Sequence, residues 1–159
     1  MRTNLNDIQL LHIPVIEDTR GNLGVIQKGF LPFDFKRVYY LFDVPSNAFR
    51  GGHSHIEQHE VLIALSGSFE VTVNDGKNKK SFLLNKPNVG LHLPKGIWRE
   101  LENFSSGAIC LVLASDLFEE TDYIRDYETF LNSNSSIAPI FFGFKGLGST
   151  SFFITLSKF

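Results

Sequence analysis

Three side chains that can bind a metal ion or move a proton lie close together near the middle of the chain. His53, His55 and Glu60 follow the spacing H-x-H-x4-E, and Gly67 completes the pattern after six intervening residues. Side chains two positions apart on a β-strand point to the same face, so we expect His53 and His55 to project together. Two imidazoles beside a carboxylate suit either coordination of a divalent ion or acid–base transfer of protons.

A second pattern, P-x-G-x2-H-x3-N, lies further along the chain, where Pro94, Gly96 and Asn103 match but Arg99 stands at the histidine position. Together the two patterns resemble the two motifs of the cupin superfamily, a small jelly-roll fold. Its metal-binding members hold an ion with two histidines, a glutamate and that last histidine. A guanidinium offers no lone pair and its charge repels a cation, so we expect no metal here. A three-ligand site built from the first pattern stays open as an alternative.

Short β-strands must position these residues, because alternating or continuous apolar runs fill most of the chain. A tight hairpin turn is predicted at Asn74-Asp75-Gly76, and prolines separate other runs. Short strands with such turns are typical of a sandwich or barrel. With the resemblance to the cupin motifs, the predicted fold class is all-β, a cupin-type double-stranded β-helix or jelly roll. The predicted strands are 37–42, 61–65, 69–73, 82–84, 89–93 and 108–114.

One short helix is predicted towards the C-terminus, with Thr121 as its cap. A polar linker begins at Ser133, and the residues after it are rich in Phe, Gly and Ser. We therefore divide the chain into a cupin-type domain of residues 1–132 and an extra tail of residues 133–159, whose role the sequence does not reveal. The apolar side chains that share one face of the helix are Ile124, Tyr127 and Leu131.

The composition excludes several classes of protein. A chain of 159 residues with 43% hydrophobic residues forms one ordinary domain with a buried core. Fifteen basic and seventeen acidic residues give a net charge of −2, so we expect neither a nucleic-acid partner nor an anionic membrane partner. A single cysteine, Cys110, excludes an intrachain disulfide and a thiolate zinc cluster. The first residues contain no apolar secretion segment, which predicts a cytoplasmic protein.

Seven short segments carry a narrower pattern. They are TRG at 19–21, KRVYY at 36–40, RGGHSH at 50–55, LSGS at 65–68, GIWRE at 96–100, LASD at 113–116 and ETDYIRDY at 120–127. On these segments the chain resembles the nucleotide-sugar 3,4-ketoisomerases that act on dTDP-4-keto-6-deoxyglucose. The resemblance runs from about residue 18 to residue 131 and leaves out the tail.

The resemblance implies a reaction that uses neither a metal nor another cofactor. A 4-keto sugar becomes a 3-keto sugar through an enediol, and only protons move. The implied principal base is His53, with His55 and Tyr39 close to the sugar as the other catalytic residues. Arginine suits the diphosphate and a developing enediolate because its planar fork makes charge-assisted hydrogen bonds. The residues implied in substrate binding are Arg20, Arg50, Arg99 and Trp98.

The resemblance also implies a homodimer that exchanges N-terminal strands, and a step towards 3-amino-3,6-dideoxyhexoses of surface glycans such as lipopolysaccharide. The two residues that accompany the configuration at sugar carbon C4 disagree in this chain. In the family that the chain resembles, Arg20 accompanies a galacto product and Arg99 accompanies a gluco product. We expect galacto from Arg20. His59 and Glu60 depart from the usual family residues, commonly Glu and then Gln. Two other functions stay open: a metal-dependent cupin enzyme, and a non-catalytic cupin that binds a nucleotide sugar.

Overall fold

The computed structural model describes residues 3–134, and β-strands dominate this range. Apart from two single turns of 3-10 helix, the described elements are short strands followed by one helix. They are β1 Gln9–His12, β2 Val15–Ile16, β3 Leu23–Gly24, β4 Arg37–Leu41, β5 Arg50–His55, β6 Glu60–Ser66, β7 Phe69–Asn74, β8 Lys79–Leu84, β9 Val89–Leu93, β10 Trp98–Glu102, β11 Ile109–Ala114, β12 Tyr123–Ile124 and α1 Tyr127–Asn134.

The strands build two five-stranded sheets, ordered β1-β9-β6-β11-β4 and β12-β5-β10-β7-β8, with β2 and β3 forming a separate ribbon. Every recorded pairing is antiparallel. From β4 onwards the chain crosses from one sheet to the other at almost every step, which is typical of a jelly roll. The predicted all-β jelly roll is therefore confirmed, and the predicted strands match β4, β6, β7, β9 and β11 to within about one residue at each end.

Apolar side chains from both sheets meet between them and form the main core. In β7, Phe69, Val71 and Val73 alternate with more polar neighbours and are completely buried. The Phe69 ring also stacks on Phe104, with ring centroids 5.2 Å apart. Fully burying a side chain of this kind contributes about 1.5–3 kcal/mol. This core fixes the inner faces of both sheets, on which the polar site residues lie.

A bulge between β5 and β10 sets two site residues opposite each other. The register places Arg99 against His53 and then Glu100 against Gly51, so Gly52 is the extra residue. Gly51 has φ +80°, and a Cβ atom there would lie 2.8 Å from the Arg99 backbone oxygen. Only glycine fits this close approach, which explains the glycine pair directly before the histidine motif.

The predicted start of the helix is wrong. Thr121 lies in a 3-10 turn, and the Tyr123–Ile124 segment then pairs with β5 as a strand, so the helix begins only at Tyr127. The Asp126 carboxylate accepts a hydrogen bond from the Thr129 backbone N–H at 2.8 Å and satisfies the first turn. Pairing to a neighbouring strand overrides the helical spacing of the apolar residues, a tertiary effect that local patterns do not contain.

The helix continues to Asn134, so Ser133 and Asn134 are helical and do not belong to a linker as predicted. The remainder of the predicted tail, residues 135–159, lies outside the described residues. Within residues 3–134, no helix has the length and hydrophobicity needed to cross a membrane.

Candidate active site

A cavity of about 270 Å³ opens between the two sheets, and polar side chains from four strands line it. Tyr39 on β4 and Glu60 on β6 enter from one sheet, while His53 on β5 and Arg99 on β10 enter from the other. Apolar side chains line the cavity around these groups, and Glu60 and Arg99 are almost fully buried. The remaining lining residues are Leu41, Phe49, Arg50, Gly51, Leu62, Leu101, Val112 and Arg125.

His53 presents a neutral imidazole to the cavity. Both of its ring nitrogens are buried and have no hydrogen-bond partner of standard geometry among residues 3–134. Burial, followed by the charge of Arg99, lowers the pKa of His53 to about 3, although Glu60 and the Gly51 backbone oppose the shift. An unprotonated nitrogen is therefore present at neutral pH, which a general base requires.

Glu60 joins the other polar groups of the cavity. Its Oε1 accepts a hydrogen bond from the Tyr39 hydroxyl at 2.7 Å, and its Oε2 lies 3.3 Å from Nη2 of Arg99. Burial alone would raise the pKa of Glu60, but the Arg99 charge and the hydrogen bond from Tyr39 hold it below its usual value. Burial, together with the Glu60 charge, raises the pKa of Tyr39 far above its usual value. The resting site therefore contains a carboxylate, a neutral phenol and a guanidinium.

His55 lies behind the cavity and does not line it. It is fully buried, and its ring meets His53 edge-on with centroids 5.0 Å apart. Its Nδ1 lies 2.9 Å from Oδ2 of Asp122, and its Nε2 lies 3.1 Å from Nε2 of Gln58. The expected common projection of the two histidines is confirmed, but only His53 reaches the space where a ligand fits.

The first cupin pattern does bring potential ligand atoms together. One ligand atom from each of His53, His55 and Glu60 lies within 4.8 Å of the others. However, hydrogen bonds occupy both nitrogens of His55, and the Arg99 cation lies against Glu60. As the side chains are arranged, this donor set does not fit a divalent ion.

Cationic side chains lie at the mouth of the cavity. Arg50 and Arg125 both line it and are exposed, and Phe49 beside them is 73% exposed. Arg125 pairs with Glu120 at 2.7 Å and lies over an aromatic ring. Arg20 does not line the cavity within one chain; its side chain is 89% exposed and pairs with Asp18 at 2.8 Å.

Trp98, which the sequence placed at the pocket, lies on the opposite face of β10. Successive side chains of a strand alternate between faces, so a strand that turns Arg99 inward turns Trp98 outward. There the indole packs against Tyr127 and Phe130 of α1, with centroids 5.0 and 5.4 Å away, and donates to Glu100 at 3.0 Å. In the single chain, Trp98 anchors the helix and lines no part of the cavity.

Four residues in or directly behind the site were not predicted from the sequence to take part in it. Asp122 and Arg125 both belong to the ETDYIRDY segment, whose distinctive pattern was the available signal. Arg37 lies two positions before Tyr39 and so shares its face of β4. Gln58 lies in the loop between β5 and β6, where no periodic pattern marks its direction.

Comparisons with known proteins agree with this architecture. The family described as "FdtA: WxcM-like, C-terminal" matches residues 6–135. A curated relative, the TDP-4-oxo-6-deoxy-alpha-D-glucose-3,4-oxoisomerase of Aneurinibacillus thermoaerophilus, is 41% identical over 123 residues. That match covers 77% of this chain and 88% of the relative.

Solved structures show the same relationship. A 3,4-ketoisomerase from Helicobacter canadensis is 46% identical with a TM-score of 0.79, covering 80% of this chain and 97% of that one. The QdtA 3,4-ketoisomerase from Thermoanaerobacterium thermosaccharolyticum, solved in complex with TDP, is 40% identical with a TM-score of 0.80, covering 82% and 96%. The chain therefore belongs to the FdtA-like family of sugar-nucleotide 3,4-ketoisomerases, as the resemblance of its sequence segments indicated.

Proposed function

We propose that this protein converts dTDP-4-keto-6-deoxyglucose into a dTDP-3-keto-6-deoxyhexose. The observation that carries the proposal is the neutral, unpartnered His53 facing a cavity that also holds Tyr39 and Arg99. A site that only binds a sugar has less need of a buried proton acceptor beside a phenol and a cation. The names of the relatives supply the nucleotide and the class of sugar.

In the proposed reaction, protons move and the sugar undergoes no net oxidation or reduction. His53 removes the proton from C3, and the electrons of that bond form an enediolate with the C4 carbonyl. The proton of the C3 hydroxyl passes to the C4 oxygen, the C3 oxygen becomes the new carbonyl, and carbon C4 receives a proton. Each correctly placed acid or base contributes about 10²–10⁴-fold to the rate.

In the proposed reaction, Tyr39 and Arg99 interact with the oxygen atoms of the sugar. The hydroxyl proton of Tyr39 is donated to Glu60 at 2.7 Å, so the phenol oxygen keeps its lone pairs for a hydroxyl of the sugar. Nε of Arg99 is buried and makes no hydrogen bond to the described residues, while Nη2 is ion-paired with Glu60 at 3.3 Å. A fixed cation in a dry cavity stabilises an oxygen on which negative charge develops, without reorganisation of solvent.

The substrate's diphosphate and base fit the mouth of the cavity. Arg50 and Arg125 offer planar, permanently charged forks to phosphate oxygens. Phe49 is 73% exposed beside them and offers an aromatic face for stacking of the nucleobase. We propose His55 as the residue that orients His53 from behind, which gives it a role in catalysis without contact to the sugar.

The reaction is tested with purified protein and the 4-keto sugar in deuterated water. Isomerisation should yield a 3-keto product with deuterium at C4. His53→Asn should abolish turnover and leave TDP binding nearly unchanged, because the diphosphate contacts lie at the other end of the cavity. A Trp98→Phe variant is the matched control, since it alters an aromatic residue of the neighbouring strand outside the cavity. Binding without isomerisation by the wild type would favour the non-catalytic alternative.

We also propose a homodimer that exchanges N-terminal strands. Apolar side chains of the β1 and β4 sheet remain exposed in one chain, with Leu10 at 50%, Val38 at 51% and Tyr40 at 60%. A second cavity of about 610 Å³, rich in apolar residues, lies beside the β2–β3 ribbon. Pairing two copies would cover such surfaces. Light scattering at micromolar concentration should give twice the chain mass, and a stable monomer would refute the dimer.

For the product we propose the galacto configuration at C4, on the condition that Arg20 arrives from the partner copy. Arg20 is outside the cavity of its own chain, whereas Arg99 is inside it. Proton NMR of the product should show a small coupling between the protons on C4 and C5. Arg20→Tyr should shift the product towards gluco, and Arg99→His should strengthen the galacto outcome. A large coupling in the wild-type product would refute the proposal.

A 3-keto sugar nucleotide is the form that a pyridoxal-phosphate aminotransferase can convert to a 3-amino sugar. We therefore propose that the product enters synthesis of a 3-amino-3,6-dideoxyhexose for a surface glycan. A coupled reaction with such an aminotransferase should form the amino sugar only when this protein is present. Formation of the same amino sugar without it would contradict this assignment.

A further inference from the structure

A continuous hydrogen-bond network runs behind the cavity, and Gln58 lies at its centre. The Gln58 Nε2 is 3.1 Å from Nε2 of His55 and 2.8 Å from Oε1 of Glu60. Its Oε1 accepts a hydrogen bond from Nη2 of Arg37 at 3.0 Å. The Gln58 side chain is 98% buried, since only 2% of its surface is exposed, so no solvent competes for these contacts.

The chemistry of its neighbours fixes the orientation of the Gln58 amide. Arg37 can only donate, so it must meet the amide oxygen. Glu60 is ion-paired with Arg99 at 3.3 Å, and a carboxylate can only accept, so it must meet the amide NH2. A flipped amide would face both neighbours with the wrong group. The second N–H of that NH2 group therefore points at His55.

This orientation also fixes the tautomer of His55. An amide N–H can only donate, so the 3.1 Å contact to Gln58 needs an unprotonated Nε2 and places the ring proton on Nδ1, while Oε1 of Glu60 lies farther from Nε2, at 3.4 Å. Nδ1 then donates to Asp122 at 2.9 Å, and Asp122 is in turn held by the backbone N–H groups of Glu57 and Gln58. Both lone-pair positions through which His55 could bind an ion are thereby used.

We infer that the Gln58 amide takes the structural place of a metal ion in this cupin site. A metal would join His55 to the carboxylate of Glu60 through two coordination bonds, and the amide joins the same two groups through two hydrogen bonds. Arg99, 3.3 Å from the other oxygen of Glu60, supplies the positive charge. Gln58 and Arg99 together close the site to divalent cations. Gln58 replaces the bonds that a metal would make, Arg99 replaces its positive charge, and neither residue alone does both.

The same arrangement sets the direction of the Tyr39 hydroxyl group at the cavity. Glu60 Oε1 accepts from Gln58 and from Tyr39, so the Tyr39 hydroxyl proton points away from the ligand space. Gln58 is thus a positioning residue that acts through His55 and Glu60 and touches no substrate. Every readout proposed below is made without substrate, so its outcome is independent of the proposed isomerisation.

The first test is nitrogen-15 NMR of the wild-type protein labelled at histidine, in the presence of a chelator at neutral pH. His55 should show two unlike nitrogens, with the proton on Nδ1, and Asp122→Asn should serve to assign the signals. A His55 protonated on Nε2 in the wild type would overturn the inference, because Nε2 could not then accept from Gln58.

The second test is metal binding by the full chain, with Co²⁺ as the probe, followed by visible absorption and calorimetry. The variants are Gln58→Met, Arg99→His and the double variant, in which methionine keeps the length of glutamine without its N–H groups. The wild type and both single variants should bind at least 100-fold more weakly than the double variant. Circular dichroism at each step establishes that the variants are folded.

Three results would overturn the inference. They are stoichiometric Co²⁺ binding at His55 in the wild type, binding by Arg99→His as tight as by the double variant, and a folded double variant that binds no Co²⁺. If the double variant does not fold, the tautomer of His55 in the wild type decides the question by itself. Tight binding by the double variant alone would support both halves of the inference.

Discussion

The most informative perturbation is removal of His53 combined with a change of pH. In the folded protein, burial and then the charge of Arg99 lower the pKa of His53 to about 3, from an ordinary value of 6.5. In the unfolded chain the same histidine is exposed and titrates near its ordinary value. Acid should therefore destabilise the fold through this residue, and His53→Asn should remove that part of the pH dependence.

The sign and size follow from the two pKa values. As the pH falls below about 6.5, His53 binds a proton in the unfolded chain but stays unprotonated in the folded chain. The free energy of unfolding therefore falls by about 1.4 kcal/mol per pH unit. The loss continues until the pH approaches the folded value of about 3. Between pH 7 and pH 5 it amounts to about 2 kcal/mol. Burial and then the charge of His59 lower the pKa of His92 to about 4, which adds a loss of similar size.

The assay is urea denaturation at pH 7 and pH 5, at one fixed protein concentration, for wild type, His53→Asn and His92→Asn. Each variant should lose about 2 kcal/mol less than the wild type between the two pH values. The double variant should combine both effects, because the two histidines occupy different clusters. Equal pH dependence in wild type and His53→Asn would show that His53 is not held neutral, and would remove the basis for assigning it as the base.

Three other predictions concern the cavity and its frame. Tyr39→Phe should lower kcat by about 10²-fold with little change in KM, measured by product formation, because it removes the acceptor for the sugar hydroxyl. Arg125→Gln should raise KM and leave kcat nearly unchanged if its fork binds the diphosphate. Gly51→Ala should lower the melting temperature more than Gly107→Ala, because both have positive φ but only Gly51 approaches the backbone of β10 within 2.8 Å. Equal effects of the two alanines would refute the close approach.

The strands and the principal site residues could be predicted from the sequence because both depend on a two-residue period. That period placed His53 and His55 together on β5, whereas the place of Tyr39 near the sugar was implied by the family resemblance. Arg99 followed from its position in the second cupin pattern. The same period would have predicted that Trp98 points away from the cavity, since its neighbour Arg99 on the same strand points into it.

Other features depend on contacts between distant parts of the chain. The helix starts at Tyr127 because Tyr123 and Ile124 pair with β5, about seventy residues earlier. Gln58 gains its role from Arg37 and Glu60, whose side chains reach it from two different strands. No spacing rule in the sequence encodes such a convergence, and only the register of the sheets brings these groups together.

The buried pair of Arg99 and Glu60 is best explained by chemistry and not by stability. Replacing a buried ion pair with well-packed apolar residues is often neutral or stabilising, because removing two charges from water offsets their attraction. Here the pair lies 1–2% exposed at the wall of the cavity, where its cation faces the oxygens of the proposed enediolate. Glu60 balances Arg99 in the resting site, and Gln58 and Tyr39 supply the hydrogen bonds that a buried carboxylate needs. A protein that keeps so many polar groups in its core therefore retains a fixed electrostatic environment at the place where negative charge develops.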